Sequence, residues 1–218
     1  MVDVEPERNN KQKRILRQWL FNPFQFIAGS GALLVGLAVI LVTAFLGSLS
    51  NTHFDGVLDV HTGRAAPLWF FLTEVLIDWL CLSVVLLIAA LFVSRSSFRI
   101  VDVFGTQALA RAPHLLSVLA VLPKGSNRFA EYLLSKITQQ APTTTIKSTD
   151  ILFFVAGTIV MLLMIIWMVV LMYRAYAISC NVKGGKAVSS FIAGLIIAEI
   201  LSKLAIWQLA LRTGLLPS

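Results

Sequence analysis

The run LWFFLTEVLIDWLCLSVVLLIAALFVS, residues 68–94, decides the class of this protein. It is long enough to cross a bilayer as a helix, which needs about 20 apolar residues. Two carboxylates, Glu74 and Asp78, nevertheless stand four residues apart inside it, and that spacing puts both on one helix face. The run therefore predicts a transmembrane helix whose acidic face points at a partner, a cavity or the interior of a helix bundle.

Three further apolar runs have membrane-spanning length, at 25–49, 150–173 and 188–211. Of the 218 residues, 57% are hydrophobic and only 13% are charged, whereas soluble domains carry about 25% charged residues. We therefore predict an all-α membrane protein, a polytopic helical bundle. Its transmembrane domain occupies 22–212, after a basic cytoplasmic or interfacial leader at 1–21 and before a short tail at 213–218.

The segment GTQALARAPHLLSVLAVLP, residues 105–123, leaves the number of spans open. It is apolar enough to enter the bilayer but contains Arg111 and Pro113, so it is either a fifth, kinked span or a re-entrant segment shielded by protein. The positive-inside rule slightly favours four spans, but these apolar residues would then have no hydrophobic environment. We predict five transmembrane helices, with four plus a re-entrant segment as the alternative.

Basic residues predict the orientation and the partners. The leader carries five of them before the first span, and the loop 50–67 has only Arg64, so the N-terminus is expected in the cytoplasm. The net charge of +7 is explained by this topology and by anionic lipid headgroups. No basic surface motif with interleaved aromatic residues is present, so nucleic acid is not a predicted partner.

The last run adds a second charged pair, Glu199 and Lys203, again four residues apart. If the second and fifth spans run between the same membrane faces, Lys203 lies at the depth of Glu74. Lys203 could then pair with Glu74 or Asp78, and Glu199 could reach Arg111 if the segment 105–123 enters the bilayer. This intramembrane charged cluster is either a polar cavity for a ligand or proton, or an ion-pair network that fixes helix packing.

The outer loop NTHFDGVLDVHTGR, residues 51–64, is the second candidate site. Its residues His53, Asp55, Asp59 and His61 share one parity, so they project to one face in extended structure. A turn at Asp55-Gly56 instead brings the two histidines together across a hairpin. The four side chains are adequate ligands for zinc or a similar divalent metal. A solvated polar loop is the favoured interpretation, and no cofactor is expected.

The remaining sequence motifs point to no specific catalytic chemistry. The chain has no GxSxG, HExxH, Walker A or Rossmann glycine pattern, and NVKGGKA is interpreted as a turn into the last helix. The two cysteines, Cys81 and Cys180, fall at different depths, so no disulfide is expected. An enzyme is therefore not the leading prediction.

Three segments resemble the bacterial form of the Yip1 family. They are NPFQFIAGSGALL (22–34), RSSFRIVDVFGTQALARAPHLL (95–116) and WMVVLMYRAYAISCNVKGGKAVSSFIAGLIIAEI (167–200). The resemblance covers roughly 22–210. Two motifs of eukaryotic members are absent, the DLYGP-type segment and the compact GYS-type motif.

This resemblance implies five transmembrane helices and a cytoplasmic N-terminus. Eukaryotic relatives bind small GTPases and shape Golgi membranes, but the missing motifs prevent transfer of that role. The expected function is a non-enzymatic organiser or assembly and trafficking factor of the bacterial cytoplasmic membrane. Its partners would be the lipid bilayer, other membrane proteins or further copies of itself. The alternatives are a transporter of a small molecule, ion or lipid that uses the charged cluster, and a membrane enzyme with an outer-loop metal site.

Overall fold

The protein is a bundle of helices with one small β-hairpin, seen in a computed structural model that describes residues 5–139 and 145–215. Its helices are α1 (Glu5–Phe21), a short 3-10 helix (Pro23–Gln25), α2 (Gly29–Ser50), α3 (Leu68–Val93), α4 (Ile100–Leu109), α5 (Ala112–Val121), α6 (Lys124–Ile137), α7 (Ser148–Ser179) and α8 (Gly184–Thr213). The strands are β1 (Thr52–His53) and β2 (His61–Thr62). Two of the five basic residues of the leader, Arg8 and Lys11, have side chains outside the described residues. Residues 140–144 and the end of the tail, 216–218, are also outside them.

Four helices, α2, α3, α7 and α8, are long and apolar enough to span a membrane. They correspond to the four apolar runs, so the prediction of a helical integral membrane protein is confirmed at this level. The prediction of an all-α chain misses only the two-residue strands of the hairpin. The amphipathic segment at 129–137 is helical and lies within α6.

The segment from 100 to 121 forms two ten-residue helices, α4 and α5, rather than one long helix. Helix α4 ends at Leu109, four residues before Pro113. The proline ring has no N–H and clashes with the carbonyl four residues earlier, which explains the break. Arg111 occupies the junction as the N-cap of α5.

The α4–α5 pair follows α2 in the same direction. A Cβ at Gly105 would lie 2.5 Å from the carbonyl oxygen of Gly29, and one at Gly36 would lie 2.6 Å from Ala108. Beyond α5, the amide of Asn127 donates to the carbonyl of Ser50, 3.2 Å away, at the last residue of α2. The pair therefore begins beside the start of α2, and the chain beyond it reaches the end of α2.

Two ends of the bundle are defined by such contacts. At the turn end, comprising 94–99 and 180–183 with the start of α4, the Ser94 hydroxyl donates to the carbonyl of Cys180 at 2.7 Å. Thr106 and Ser179 share a hydroxyl hydrogen bond of 2.8 Å nearby. At the hairpin end, comprising 51–67 with the starts of α6 and α7, Arg128 forms an ion pair with Asp150.

The buried core has two main clusters. One lies among α3, α4, α7 and α8, with the fully buried Leu82, Met172 and Tyr176. The other joins α2, α3 and α5 and includes Phe54 from the hairpin. The hairpin is therefore part of the packed interior, and it determines the shape of the candidate site.

We predict that replacing Gly36 by Ala destabilises the bundle. The new Cβ would lie 2.5 Å from the backbone nitrogen of Leu109, and such overpacking costs about 1–3 kcal/mol. Gly31→Ala is the matched control on the same helix, because its Cβ meets only a side-chain carbon of Ile27 at 3.9 Å. Unfolding in detergent should show a lower midpoint for Gly36→Ala alone. Equal midpoints for the two variants would contradict the close α2–α4 contact.

Candidate functional site

The outer loop is a hairpin whose two histidines face each other. Asn51 ends α2 in the left-handed conformation at φ 51°, and its carbonyl accepts a hydrogen bond from the N–H of Gly63 at 2.8 Å. The strands pair antiparallel, with His53 opposite His61 and their ring centroids 5.9 Å apart. Gly63 is needed here, because a Cβ would lie 2.5 Å from the His53 ring.

Apolar residues of the loop fold inward instead of lying in water. Phe54 and Val57 are fully buried and Val60 is 7% exposed. The ring of Phe54 packs edge-on against His114 of α5, with centroids 5.1 Å apart. The hairpin therefore closes the end of the bundle, and its polar groups reach the charged side chains of α3 and α8.

Glu74 of α3 is buried, and the hairpin supplies its hydrogen-bond donors. Its Oε1 lies 2.8 Å from Nδ1 of His53, and its Oε2 accepts a hydrogen bond from the backbone N–H of Phe54 at 3.3 Å. The side chain of Glu74 is only 1% exposed. A buried carboxylate without donors would be costly, so these two contacts tie the hairpin to α3.

The contacts of His53 favour its charged form. Its Nε2 lies 2.7 Å from the carbonyl oxygen of Arg64, which only accepts, so Nε2 carries a proton. Its Nδ1 faces the Glu74 carboxylate, which accepts when ionised. Burial opposes the charge, but the hydrogen bond and negative charge of Glu74 outweigh it, and the pKa of His53 lies above its ordinary value.

Lys203 does not form the predicted pair with Glu74 or Asp78. Its ammonium instead binds Asp59 of the hairpin and lies 3.5 Å from Glu199 on its own helix. The expectation was wrong because it treated the loop as outside the bundle, whereas the hairpin folds down and brings Asp59 within reach. Glu74 meanwhile has its own partner in His53.

The carboxylate of Glu199 binds the tip of the hairpin and does not pair with Arg111. Its Oε2 accepts a hydrogen bond from the backbone N–H of Leu58 at 2.8 Å. A Cβ at Gly56 would lie 2.5 Å from Oε1 of Glu199, so glycine permits this close approach. No ion pair joins Glu199 and Arg111 within the described part of the chain, although the two interact electrostatically.

A second group of polar side chains lies deeper in the bundle. Asp78, Arg111 and His114 are 0%, 2% and 3% exposed. Among the described residues, no hydrogen-bond partner is found for both carboxylate oxygens of Asp78, both ring nitrogens of His114, or Nε and Nη2 of Arg111. Arg111 interacts electrostatically with Asp78 at longer range than an ion pair.

The predicted metal ligands divide into two sets. Potential ligand atoms of Asp55, Asp59 and His61 lie within 4.8 Å of one another, while His53 is engaged by Glu74 and the Arg64 carbonyl. A cation at these three residues would compete with Lys203 for Asp59. This partly exposed group is thus a poor match to a preformed zinc site, which usually has four ligands.

His61 and Asp55 each stabilise the charged form of the other. Contact with Asp55, 3.4 Å away, raises the pKa of His61 against the effect of burial. Burial raises the pKa of Asp55, but His61 and Lys203 more than offset it, so that pKa lies below its usual value. The hairpin thus presents an ionised carboxylate beside a histidine that binds a proton more tightly than usual.

Sequence reasoning missed three contributors to the site. His114 was not singled out, and the backbone donors of Phe54 and Leu58 carry no sequence motif. A signal for the folded loop was nevertheless present, because Phe54, Val57 and Val60 are large apolar residues in a loop assigned to water. Together with Gly56, they are typical of a segment that packs against its own protein.

The fold and site define a helical membrane protein with a hairpin docked on buried charges. In comparisons with known protein families, curated proteins and solved structures, none matches this chain.

We predict that the hairpin loses stabilisation as pH rises. The folded-state pKa of His53 is raised above the ordinary histidine value of about 6.5, so its stabilising charge is fully present below that value and is lost as pH passes the raised one. In a His61→Gln background, which removes the second titrating imidazole, the unfolding midpoint should exceed that of the His53→Gln/His61→Gln variant. This difference should shrink as pH rises above the ordinary histidine pKa of about 6.5. A difference that stays constant with pH would contradict a charged His53.

Proposed function

We propose that this chain is a non-enzymatic integral membrane protein of the Yip1 type, with five spans and a cytoplasmic N-terminus, in a bacterial cytoplasmic membrane. It organises or assembles other membrane components through contacts of its helices and with lipid. The observation that carries this proposal is that the charged side chains at the hairpin end bind other groups of the same protein. Glu74, Glu199 and Lys203 each bind a group of the hairpin and hold it in place.

The path of α4 and α5 supports five spans. Each helix has ten residues, and at 1.5 Å per residue the two together extend about 30 Å, the thickness of the hydrocarbon core. They begin beside Gly29 and lead to Asn127 beside Ser50. Together they thus cover the depth of α2, with the break at Arg111 shielded by protein.

The turn end is the proposed cytoplasmic side. Eight exposed basic residues of the described chain lie there or on α1: Lys13, Arg14, Arg17, Arg95, Arg99, Arg174, Lys183 and Lys186. Six lie toward the hairpin end: Arg64, Lys124, Lys136, Lys147, Lys203 and Arg212. Such an excess is favoured on the cytoplasmic face and attracts anionic headgroups.

Thiol labelling of intact cells tests the number of spans. Five spans place Ser97→Cys in the cytoplasm and Lys136→Cys outside, whereas four spans place both in the cytoplasm. We expect a membrane-impermeant maleimide to label only Lys136→Cys. The unmodified chain, with its Cys81 and Cys180, is the blank. Protection of both introduced thiols in intact cells, with labelling after lysis, would contradict five spans.

Helix α7 offers the surface for a protein partner. Only 17% of its most apolar window is buried, against 33–39% for the other long helices. A stripe with helical spacing is 47–66% exposed along it: Leu152, Val155, Ile159, Leu162 and Ile166.

We predict a discrete protein adduct when a photocrosslinking amino acid replaces Ile166 in native membranes. The control position is Ile196 on α8, which is similarly exposed at 56% against 63%. An assembly factor that uses α7 should give a defined higher-mass band only from position 166. The band should be absent without irradiation and should reveal either another protein or a second copy of this chain.

Lipid adducts alone at both positions would contradict this role and favour the second candidate, a transporter. That candidate is supported by Asp78, Arg111 and His114, which are buried with unpartnered polar atoms. Polar groups in this state mark ion and substrate paths in membrane proteins. The outer-loop enzyme is less favoured, because the metal ligands of the described hairpin are shared with Lys203 and Glu74.

A further inference from the structure

A cavity of about 390 Å³ lies between the hairpin and the adjoining ends of α3 and α8. We call it the hairpin cavity. One wall is polar and charged, formed by His53, Asp55, His61, Arg64, Glu74 and Lys203. The other wall is apolar, formed by Phe70, Ile206, Trp207, Ala210 and Leu215. A ligand that matches both walls must itself be amphipathic.

The hairpin cavity lies at the depth in the membrane where lipid headgroups are expected. Trp69 and Trp207 are about half exposed at the same end of the bundle, on α3 and α8, and tryptophan is enriched at the level of headgroups. The apolar wall belongs to two helices of membrane-spanning length. An acyl chain could therefore follow these helices while its headgroup remains against the hairpin.

Two charged groups of the polar wall are available to a ligand. The side chain of Asp55 is 40% exposed, and its buried Oδ1 lies 3.4 Å from Nδ1 of His61. Its other oxygen, Oδ2, forms no hydrogen bond or ion pair with any described residue. Arg64 is exposed, and its guanidinium forms no ion pair with any described residue. By contrast, Glu74 and Lys203 are engaged by His53 and Asp59.

The charges favour a zwitterionic headgroup. A purely anionic headgroup would meet Asp55 and Glu74, and a purely cationic one would meet Arg64, Lys203 and charged His53. A headgroup with both signs satisfies Asp55 with its ammonium and Arg64 with its phosphate. Guanidinium groups suit phosphate oxygens in particular, and a carboxylate binds a primary ammonium by hydrogen bonds that a quaternary ammonium cannot donate.

We propose that the hairpin cavity binds a phospholipid with a primary-amine zwitterionic headgroup. Asp55 binds the ammonium and Arg64 binds the phosphate, while Phe70, Ile206 and Trp207 contact the upper acyl chains. This inference requires the chain to lie in a membrane but does not depend on its acting as an organiser. A failure of the photocrosslinking test would leave it standing.

Native mass spectrometry of the detergent-purified full chain tests this site. Dioleoyl phosphatidylethanolamine, phosphatidylcholine and phosphatidylglycerol are added in turn. We expect tighter binding of the ethanolamine lipid than of the other two. Asp55→Asn should remove about tenfold of that affinity, the effect of a hydrogen bond to a charged group, and so abolish the preference over choline.

Two further variants make the result specific. Arg64→Gln, at an exposed side chain that does not support the fold, should weaken ethanolamine and choline lipids alike because both carry the phosphate. Glu131→Gln is the control, since this exposed acid lies on α6 beside a different cavity, and its lipid binding should match the unmodified chain. Equal binding of the three lipids, or an Arg64→Gln variant with unchanged affinities, would overturn the proposal and indicate non-specific surface lipid.

Discussion

The buried contact between Glu74 and His53 is the constraint on which the hairpin end depends. A carboxylate at the first turns of α3 has to be satisfied inside protein, and the donors come from the loop rather than from another helix. Once His53 and the N–H of Phe54 are fixed there, Phe54 and Val57 enter the core. The loop tip is then carried to α8, where Glu199 accepts the Leu58 N–H.

This arrangement changes the meaning of the charged residues. Glu74 does not join Glu199 and Lys203 in one network across the membrane, because the hairpin gives Glu74 its own partner in His53. Glu199 and Lys203 remain 3.5 Å apart on α8, and each also binds the hairpin. Asp78 and Arg111 are left deeper, with electrostatic interaction but no ion pair between them. One set of charges therefore holds a loop in place, while the other remains a candidate for ligand or proton chemistry.

The apolar runs were sufficient to predict the four long helices, since length and hydropathy alone define a membrane-spanning helix. Pro113 likewise predicted a kink, and the chain breaks just before it. The sequence was less able to predict which charged residues pair with each other. Depth along the helices placed Lys203 level with Glu74 and so predicted a pair between them. Depth cannot predict that a loop folds back into the bundle. The folded loop provides Asp59, which pairs with Lys203 instead. The apolar residues Phe54, Val57 and Val60 were the available signal for this fold-back.

The same reasoning explains why function is less determined than fold. Hydropathy acts over whole segments, whereas a ligand is recognised by a few polar atoms whose positions depend on long-range packing. Asp55 illustrates the difference: its sequence neighbours predict only a turn, but the docked hairpin places it on the wall of a cavity beside apolar helix ends.

A double-mutant cycle on His53 and Glu74 tests the central interaction most directly. The free energy of unfolding in detergent is measured for the unmodified chain, His53→Gln, Glu74→Gln and the double variant at neutral pH. The buried pair predicts a coupling energy of at least about 1 kcal/mol, with the double variant less destabilised than the sum of the single variants. A coupling energy near zero would show that the hairpin is held without this contact and would contradict the account.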